Sequence, residues 1–258
     1  MISKNKIKLL KCLNKKKYRL KQKKAIIEGR RLIDEAINSK VDIETIWFTN
    51  DALSLDLNQP LINKIKDSKI LFDELSYDDL DSLTNTENSQ GIIAEINISC
   101  FLNAELKNIN QENILVLDGI SDPGNLGTIL RTCAWYNIKS IILTSDCVDS
   151  FNLKCLRSGM GAHFYFDNII NAERTEVIEF LNSNNYNVFC ADLKGTDIRN
   201  AKFDGNWAVV LGSEAHGLSE DFNIYKKITI EKLGEIESLN ASVACGIILD
   251  NFIHHQNQ

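Results

Sequence analysis

No run in the 258 residues approaches the roughly 18 consecutive apolar residues of a membrane-spanning helix. The start of the chain is basic, but it lacks the apolar stretch and small-residue cleavage site of a secretory signal. Residues 1–27 contain no acid, as in transit peptides. They are Lys-rich with a single Ser and one Arg, however, where transit peptides favour Arg and Ser. The seven cysteines are odd in number and none are paired at CxxC spacing, and most lie in apolar segments such as Ala244–Leu249. This argues against a disulfide framework or a zinc site, and points to reduced, buried thiols in a cytoplasmic protein. The four histidines, His163, His216, His254 and His255, form no ligand pattern, so no metal is expected. Three nucleotide and acyl-transfer templates are also missing. There is no G-x-G-x-x-G, since Gly119, Gly124 and Gly127 are spaced five and three apart, no phosphate-cradling G-x-x-x-x-G-K-[ST], and no G-x-S-x-G elbow.

What the chain does have is apolar content, 44% of residues, enough for one or two packed cores, and a strongly uneven charge. Residues 1–31 carry 13 Lys or Arg against one acid, Glu28, a net +12; the other 227 residues carry 16 against 34, a net −18. The overall −6 therefore conceals a basic head on an acidic body, and such a head suits either a polyanion or a solvated Lys-rich surface.

There is no internal repeat. Residues 4–24 interleave Lys with Leu9, Leu10, Leu13 and Leu20 and read as one or two short basic helices. Ala25–Lys40 begins with an apolar run and continues with Leu32, Ile33, Ala36 and Ile37 at helical spacing. Strands over Ile43–Asp51, Lys69–Leu75 and Gly91–Ile98 and helices over Pro60–Ser68 and Tyr77–Leu83 complete a small α/β domain, residues 1–98. A weakly patterned, Asn-rich linker follows at 99–112. Within 113–258, near-continuous apolar strands are expected at Ile114–Ile120, Ser140–Ser145, His163–Ile169, Asn187–Asp192, Trp207–Ser213 and Lys226–Lys232. Helices at Leu126–Tyr136, Lys154–Gly159, Arg174–Asn182, Glu220–Tyr225 and Leu239–His255 separate them. This alternation predicts a parallel sheet covered on both faces, with ligands beyond the carboxyl ends of its strands.

Three segments that follow strands are rich in Gly, Asn and Ser. In Asp118–Cys133, a turn at Gly124, Asn125 and Gly127 leads into a helix bearing Arg131 one turn beyond Gly127. In Leu211–Ser219, Glu214 sits just past a strand. In Leu233–Ala244, Ser238 is placed to cap a helix whose first turn carries Asn240 and Ser242. Any one of these could be a plain turn; three at the same end of one sheet point to a shared site.

Together they resemble the SpoU branch of the SPOUT methyltransferases, which move a methyl group from S-adenosylmethionine to a ribose 2′-hydroxyl of RNA. The motif Asn-x-Gly-x-x-x-Arg occurs at 125–131, an apolar residue with Gly-x-Glu and a later Gly at 211–217, and Ser-Leu-Asn-x-Ser-x-Ala at 238–244, in family order. Lys15–Ile37 and Thr84–Ile96 resemble the beginning and end of the substrate-binding domain that precedes many SpoU domains, so the resemblance covers nearly the whole chain. Between the second and third motifs, where the family usually has Ile-Pro-Met-x-Gly, this chain has Ile230, Glu231, Lys232, Leu233 and Gly234. Ala215 stands where Gly is frequent.

The resemblance implies a knotted catalytic domain over 113–258 and a homodimer joined through it, for which the apolar last helix is suited. It implies contacts to S-adenosylmethionine, largely through main chain, from Leu211, Gly212, Ser213, Ile230, Gly234 and Leu239. It assigns catalysis to Asn125, Arg131, Glu214, Ser238 and Asn240, with Glu214 orienting Arg131 or the substrate. A guanidinium gives up its proton only above about pH 12, so Arg131 is read as a charged group that holds phosphate and stabilises the forming alkoxide. RNA contacts are expected from Lys15, Lys16, Lys17, Arg19, Lys23, Lys24 and Arg30. The added N-terminal domain favours ribosomal RNA; a tRNA ribose methyltransferase and a catalytically inactive assembly factor are the rival readings.

Overall fold

The computed structural model describes residues 2–84, 86, 88–110, 112–202 and 205–255, the last by its backbone. Asn85 and Glu87 of the Thr84–Ile96 segment, Gln111 of the expected linker and the last three residues of the 113–258 domain lie outside these. The basic head forms α1 (Lys4–Cys12) and α2 (Lys16–Gln22). Then follow β1 (Lys24–Glu28), α3 (Arg30–Asn38), β2 (Ile43–Phe48), α4 (Asn50–Ser54), α5 (Gln59–Asp67), β3 (Phe72–Glu74), α6 (Tyr77–Thr84), β4 (Ile92–Asn97) and α7 (Ser99–Leu102). The second half runs β5 (Ile114–Asp118), α8 (Pro123–Trp135), β6 (Ser140–Thr144), α9 (Leu153–Gly159), β7 (Asn168–Ala172), α10 (Arg174–Ser183), β8 (Asn187–Asp197), β9 (Trp207–Gly212), β10 (Lys226–Thr229) and α11 (Ala241–His255).

The chain divides into two units, one of residues 1–103 with 149–164, the other of residues 104–148 with 165–258. The first stretch of the N-terminal unit ends at Asn103, inside the segment 99–112 read as a linker, and the segment 149–164, read as part of the C-terminal domain, belongs to the N-terminal unit. Its attachment is chemical as well as apolar. Phe151 and Leu156 enter the core built on Ile27, Ile33 and Phe48. Arg157 donates to Glu28 at 2.9 Å, and Asp149 accepts from Arg19 Nε at 2.8 Å. The stretch expected as a strand over His163–Ile169 therefore splits: His163 lies in a 3-10 turn of the first unit, and the strand is Asn168–Ala172.

The first unit has a four-stranded sheet ordered β1-β4-β2-β3, antiparallel except for β2 with β3. Its buried His163 donates from Nε2 to the Ser150 carbonyl (2.8 Å), while Nδ1 has no hydrogen-bond partner among the described residues. Burial pushes the imidazole down from its ordinary 6.5 to about 4, and the Ser150 bond offsets only part of this. The folded pKa lies below the unfolded one, so between the two values the unfolded chain binds the extra proton. Stability is then full above about pH 6.5 and falls as the pH drops. Urea unfolding near pH 5 should give about 2 kcal/mol less stability than near pH 7.5, and His163→Leu should flatten that slope.

The second unit has a six-stranded sheet, all neighbours parallel, ordered β10-β8-β9-β5-β6-β7. Its central strands are buried throughout, as a sheet with both faces covered requires: β5 and β6 read ILVLD and SIILT with no exposed position. β10 is shorter than expected, ending at Thr229, so Ile230–Lys232 continues as a loop. The backbones of β8 and β10 approach so closely at Gly195 that a Cβ there would lie 2.4–2.6 Å from the main chain of Ile228. The segment Glu220–Ile224 is a 3-10 turn instead of an α-helix. Between β5 and β9 the strand order reverses, and such a point opens a crevice beyond the carboxyl ends of the strands.

Candidate active site

The loop after β5 enters α8 directly. Asp122 caps the helix by accepting from Asn125 N at 2.8 Å, and Pro123 occupies the first turn. The helix therefore starts at Pro123, and Gly124, Asn125 and Gly127 lie in its first turns instead of forming a separate turn before Leu126. This sets Asn125 at the amino end of α8, at the crevice.

The loop after β9 turns back on its own strand. Gly217 N donates to Ser213 O at 2.7 Å, and Gly217 has φ +69. A Cβ on Gly212 would stand 2.5 Å from the Gly217 carbonyl, so only glycine fits there. The turn exposes Glu214, whose Oε1 gathers three donors: Asn125 Nδ2 (2.6 Å), Asn240 Nδ2 (2.9 Å) and the Ala241 amide (3.0 Å). Asn240 Nδ2 also donates to Asn125 Oδ1 at 3.0 Å, closing a triangle of side chains from all three loops.

The helix α11 is capped by Asn240, not by Ser238. Its Oδ1 accepts from the Ser242 amide at 3.0 Å and from the Ser242 hydroxyl. Ser238 lies on the exposed loop ahead of it. The reason is length: α11 begins at Ala241, two residues later than expected, so Asn240 takes the capping place.

Beside this triangle is a cavity of about 660 Å³, in the size range of small-molecule sites. Leu211, Gly212, Ser213, Ile230, Gly234 and Leu239 all line it, as do Glu214 and Ser238. Asn125, Asn240 and Arg131 are not among its lining residues. Its wall is mostly apolar, and its lining includes the acids Asp192, Glu214, Glu231 and Glu237 and the bases Lys194 and Lys232. That combination suits an amphipathic ligand with an apolar ring face and charged groups of both signs, as S-adenosylmethionine is. Asp192 and Lys194, from the middle of β8, were not anticipated. Only the pairing of β8 with β10 brings them here, and no local pattern announces it. A hydrogen bond from Lys227, 2.8 Å away, holds the Asp192 carboxyl below the usual carboxylate range.

Arg131 lies exposed on α8 and forms no hydrogen bond or ion pair among the described residues. Glu214 therefore does not orient Arg131; its oxygen is spent on the two asparagines and the start of α11. The changed strip has its own anchor, because Glu231 accepts from Arg199, which also donates to Asp197 at 2.9 and 3.1 Å.

In the N-terminal unit, Lys15, Lys16, Lys17 and Lys23 are exposed and Arg30 is half-buried. Two expected RNA contacts are otherwise engaged. Arg19 is 3% exposed, with its guanidinium on Asp149 and on the Leu13 carbonyl, and Lys24 pairs with Glu44 and with Glu95 at 3.7 Å. An Arg in an amphipathic segment reads as solvated from sequence; the acid that buries this one is 130 residues away. Among the described residues there is no group of three or more side chains that could hold a metal ion, and no helix long and apolar enough to cross a membrane.

Comparison with known proteins accords with this geometry. The chain is 28% identical over 252 residues to the 23S rRNA (guanosine(2553)-2'-O)-methyltransferase RlmP of Bacillus subtilis, covering 95% of this chain and 94% of that protein. It is 27% identical to human mitochondrial rRNA methyltransferase 3, over 90% of this chain and 68% of that one. Its fold matches the AdoMet-bound rRNA methyltransferase from Sinorhizobium meliloti with TM-score 0.84 at 24% identity, covering 99% and 96% of the two chains. It matches the SpoU methyltransferase AviRb of Streptomyces viridochromogenes with TM-score 0.87 at 17% identity, covering 99% of each. Residues 4–94 match the MRM3-like substrate binding domain. Residues 112–250 match the SpoU rRNA Methylase family, and the chain belongs to that family.

Proposed function

We propose that this protein is an S-adenosylmethionine-dependent RNA methyltransferase that methylates a ribose 2′-hydroxyl, and that its substrate is ribosomal RNA. The observation that carries the reading is the convergence of the three motif loops. The second and third, with the strip 230–234, line one cavity of the right size and chemistry, and beside it the Glu214 triangle ties in Asn125 of the first. The cofactor, when bound, supplies a methyl group on a sulfonium, whose leaving group is already activated. The protein is left to align the ribose oxygen and to accommodate the charge it gains. Leu211, Gly212, Ser213, Ile230, Gly234 and Leu239 would hold the cofactor. Asn125 is oriented through both its amide atoms, by Glu214 and Asn240, and presents a fixed hydrogen-bonding edge to the nucleotide. Arg131 carries an unneutralised positive charge on the same helix, suited to phosphate and to the forming alkoxide.

Ribosomal RNA is favoured by the match of the first unit to the MRM3-like substrate binding domain, and by relatives named as rRNA methyltransferases over most of their length. The exposed lysines of the head suit the phosphate backbone. A homodimer is supported by apolar side chains left in solvent on the packed pair α8 and α11: Trp135 is 84% exposed, Val243 49% and Ile247 40%. A cytoplasmic, reducing location is supported by seven free cysteines, five of them buried.

The test is incubation of the full chain with methyl-labelled S-adenosylmethionine and either purified ribosomal RNA or purified tRNA, followed by alkaline hydrolysis. Label in alkali-resistant dinucleotides from ribosomal RNA is the expected result. Label confined to tRNA would transfer the substrate assignment, and no cofactor binding at millimolar concentration would remove the enzymatic reading.

A further inference from the structure

The last residue of β5, Asp118, is only 1% exposed, and none of the three motifs includes it. Its carboxylate has two strong donors. Arg174 Nε, at the start of α10, reaches Oδ1 at 2.7 Å, and the Ser219 amide reaches Oδ2 at 2.6 Å. Thr144 Oγ1 lies 3.4 Å from Oδ1 but has a single proton, which goes to Asp146 Oδ1 at 2.6 Å. The same Thr144 oxygen accepts from the Gly119 amide at 2.9 Å, and Arg174 Nη2 reaches across to Asp146.

Two of these contacts concern one loop. In the sheet, Asp118 is paired in register with Gly212, where the loop carrying Glu214 begins. Through its side chain it holds the amide of Ser219, where that loop ends. One residue therefore clamps both ends of the loop that lines the cavity and carries Glu214. Arg174 offsets the charge that burial would otherwise penalise.

We propose that Asp118 is a positioning residue for cofactor binding: its carboxylate holds the 213–219 loop in the shape that completes the cavity. The assignment rests on the reading of that cavity as the S-adenosylmethionine site. An amide in place of the carboxylate keeps the volume but can accept from only one of the two donors. Its NH2 then faces the other, donor against donor. The charged guanidinium of Arg174 forms the stronger bond and claims the one remaining oxygen, so the loss falls on the Ser219 amide.

The experiment compares the full chain with Asp118→Asn, Ser219→Pro, Ser219→Ala and the Asp118→Asn/Ser219→Pro double variant. Ser219 has φ −59, which a pyrrolidine ring can adopt, so the proline deletes the same hydrogen bond from its other side. The alanine removes only the hydroxyl that accepts from the Asp221 amide. Calorimetric Kd for S-adenosylmethionine should rise about tenfold in Asp118→Asn and in Ser219→Pro. The double variant should lose no more than either single one, because all three lack one and the same bond. Ser219→Ala should bind as the wild type. RNA affinity without cofactor should stay within about twofold throughout, a separation that general loosening of the fold would not give. Hydrogen exchange of the cofactor-free chain should accelerate at Gly217–Ser219 in Asp118→Asn. Wild-type affinity and exchange in Asp118→Asn, or RNA and cofactor affinity falling together, would overturn the assignment alone. Absence of cofactor binding by the wild-type chain overturns the functional reading and the assignment with it.

Discussion

Arg131→Ala should abolish most methyl transfer, lowering kcat by about a thousandfold, or about 4 kcal/mol of transition-state stabilisation, while S-adenosylmethionine affinity changes by less than about threefold. The separation follows from position. Arg131 does not line the cavity that holds the candidate cofactor residues, so its removal leaves that wall intact. It is exposed on α8, with no acidic partner among the described residues, so its charge is available to a phosphate or to an oxygen gaining charge. Its helix is well anchored without it, through the Asp122 cap, the buried face of Leu126, Ile129, Leu130 and Cys133, and packing against α11. The alanine variant should therefore stay folded. Arg131→Lys should recover part of the lost rate, because it keeps the charge but not the planar fork. Single-turnover transfer at saturating cofactor, with calorimetry for the cofactor, measures both quantities. Lost cofactor binding with normal turnover at saturation would sink the role given to Arg131.

How far the sequence reaches depends on whether the deciding contact is local. β5, β6 and β9 are legible because a strand buried on both faces must be a continuous apolar run. The fate of Phe164 and Phe166 is not legible. Their apolar alternation suits a strand, but Phe164 packs on the first unit's core and the strand begins only at Asn168. Nor does spacing reveal that 149–164 returns to the N-terminal unit, since the acids and bases that hold it there, Arg19 with Asp149 and Glu28 with Arg157, are well over a hundred residues apart. The site shows the same division. The motif residues could be named from their resemblance to the SpoU family. The bonds among them could not: Asn240 in place of Ser238 at the cap, and Glu214 on the asparagines instead of Arg131, follow from where α11 begins.

That last geometry gives the second large effect. Glu214→Ala should reduce transfer by about two orders of magnitude, and Glu214→Gln by much less. The carboxylate oxygen Oε1 receives Asn125, Asn240 and the Ala241 amide, and alanine withdraws all three acceptor contacts at once. Asn125 and Asn240 then keep only each other, through Nδ2 to Oδ1 at 3.0 Å, and the nucleotide-facing edge of Asn125 loses its fixed direction. Glutamine keeps one oxygen where Oε1 stands, so the triangle can survive. What it loses is a negative charge at the amino end of α11, where an anion interacts favourably with the helix dipole by about 0.3–1 kcal/mol at an exposed position. The thermal midpoint should follow the same order, falling by a few degrees in the alanine variant and less in the glutamine variant. The decisive quantity is the ratio between the two variants. If alanine and glutamine reduce single-turnover transfer equally, Glu214 acts through its charge; if glutamine stays within about tenfold of wild type while alanine does not, it acts by holding Asn125 and Asn240 in place.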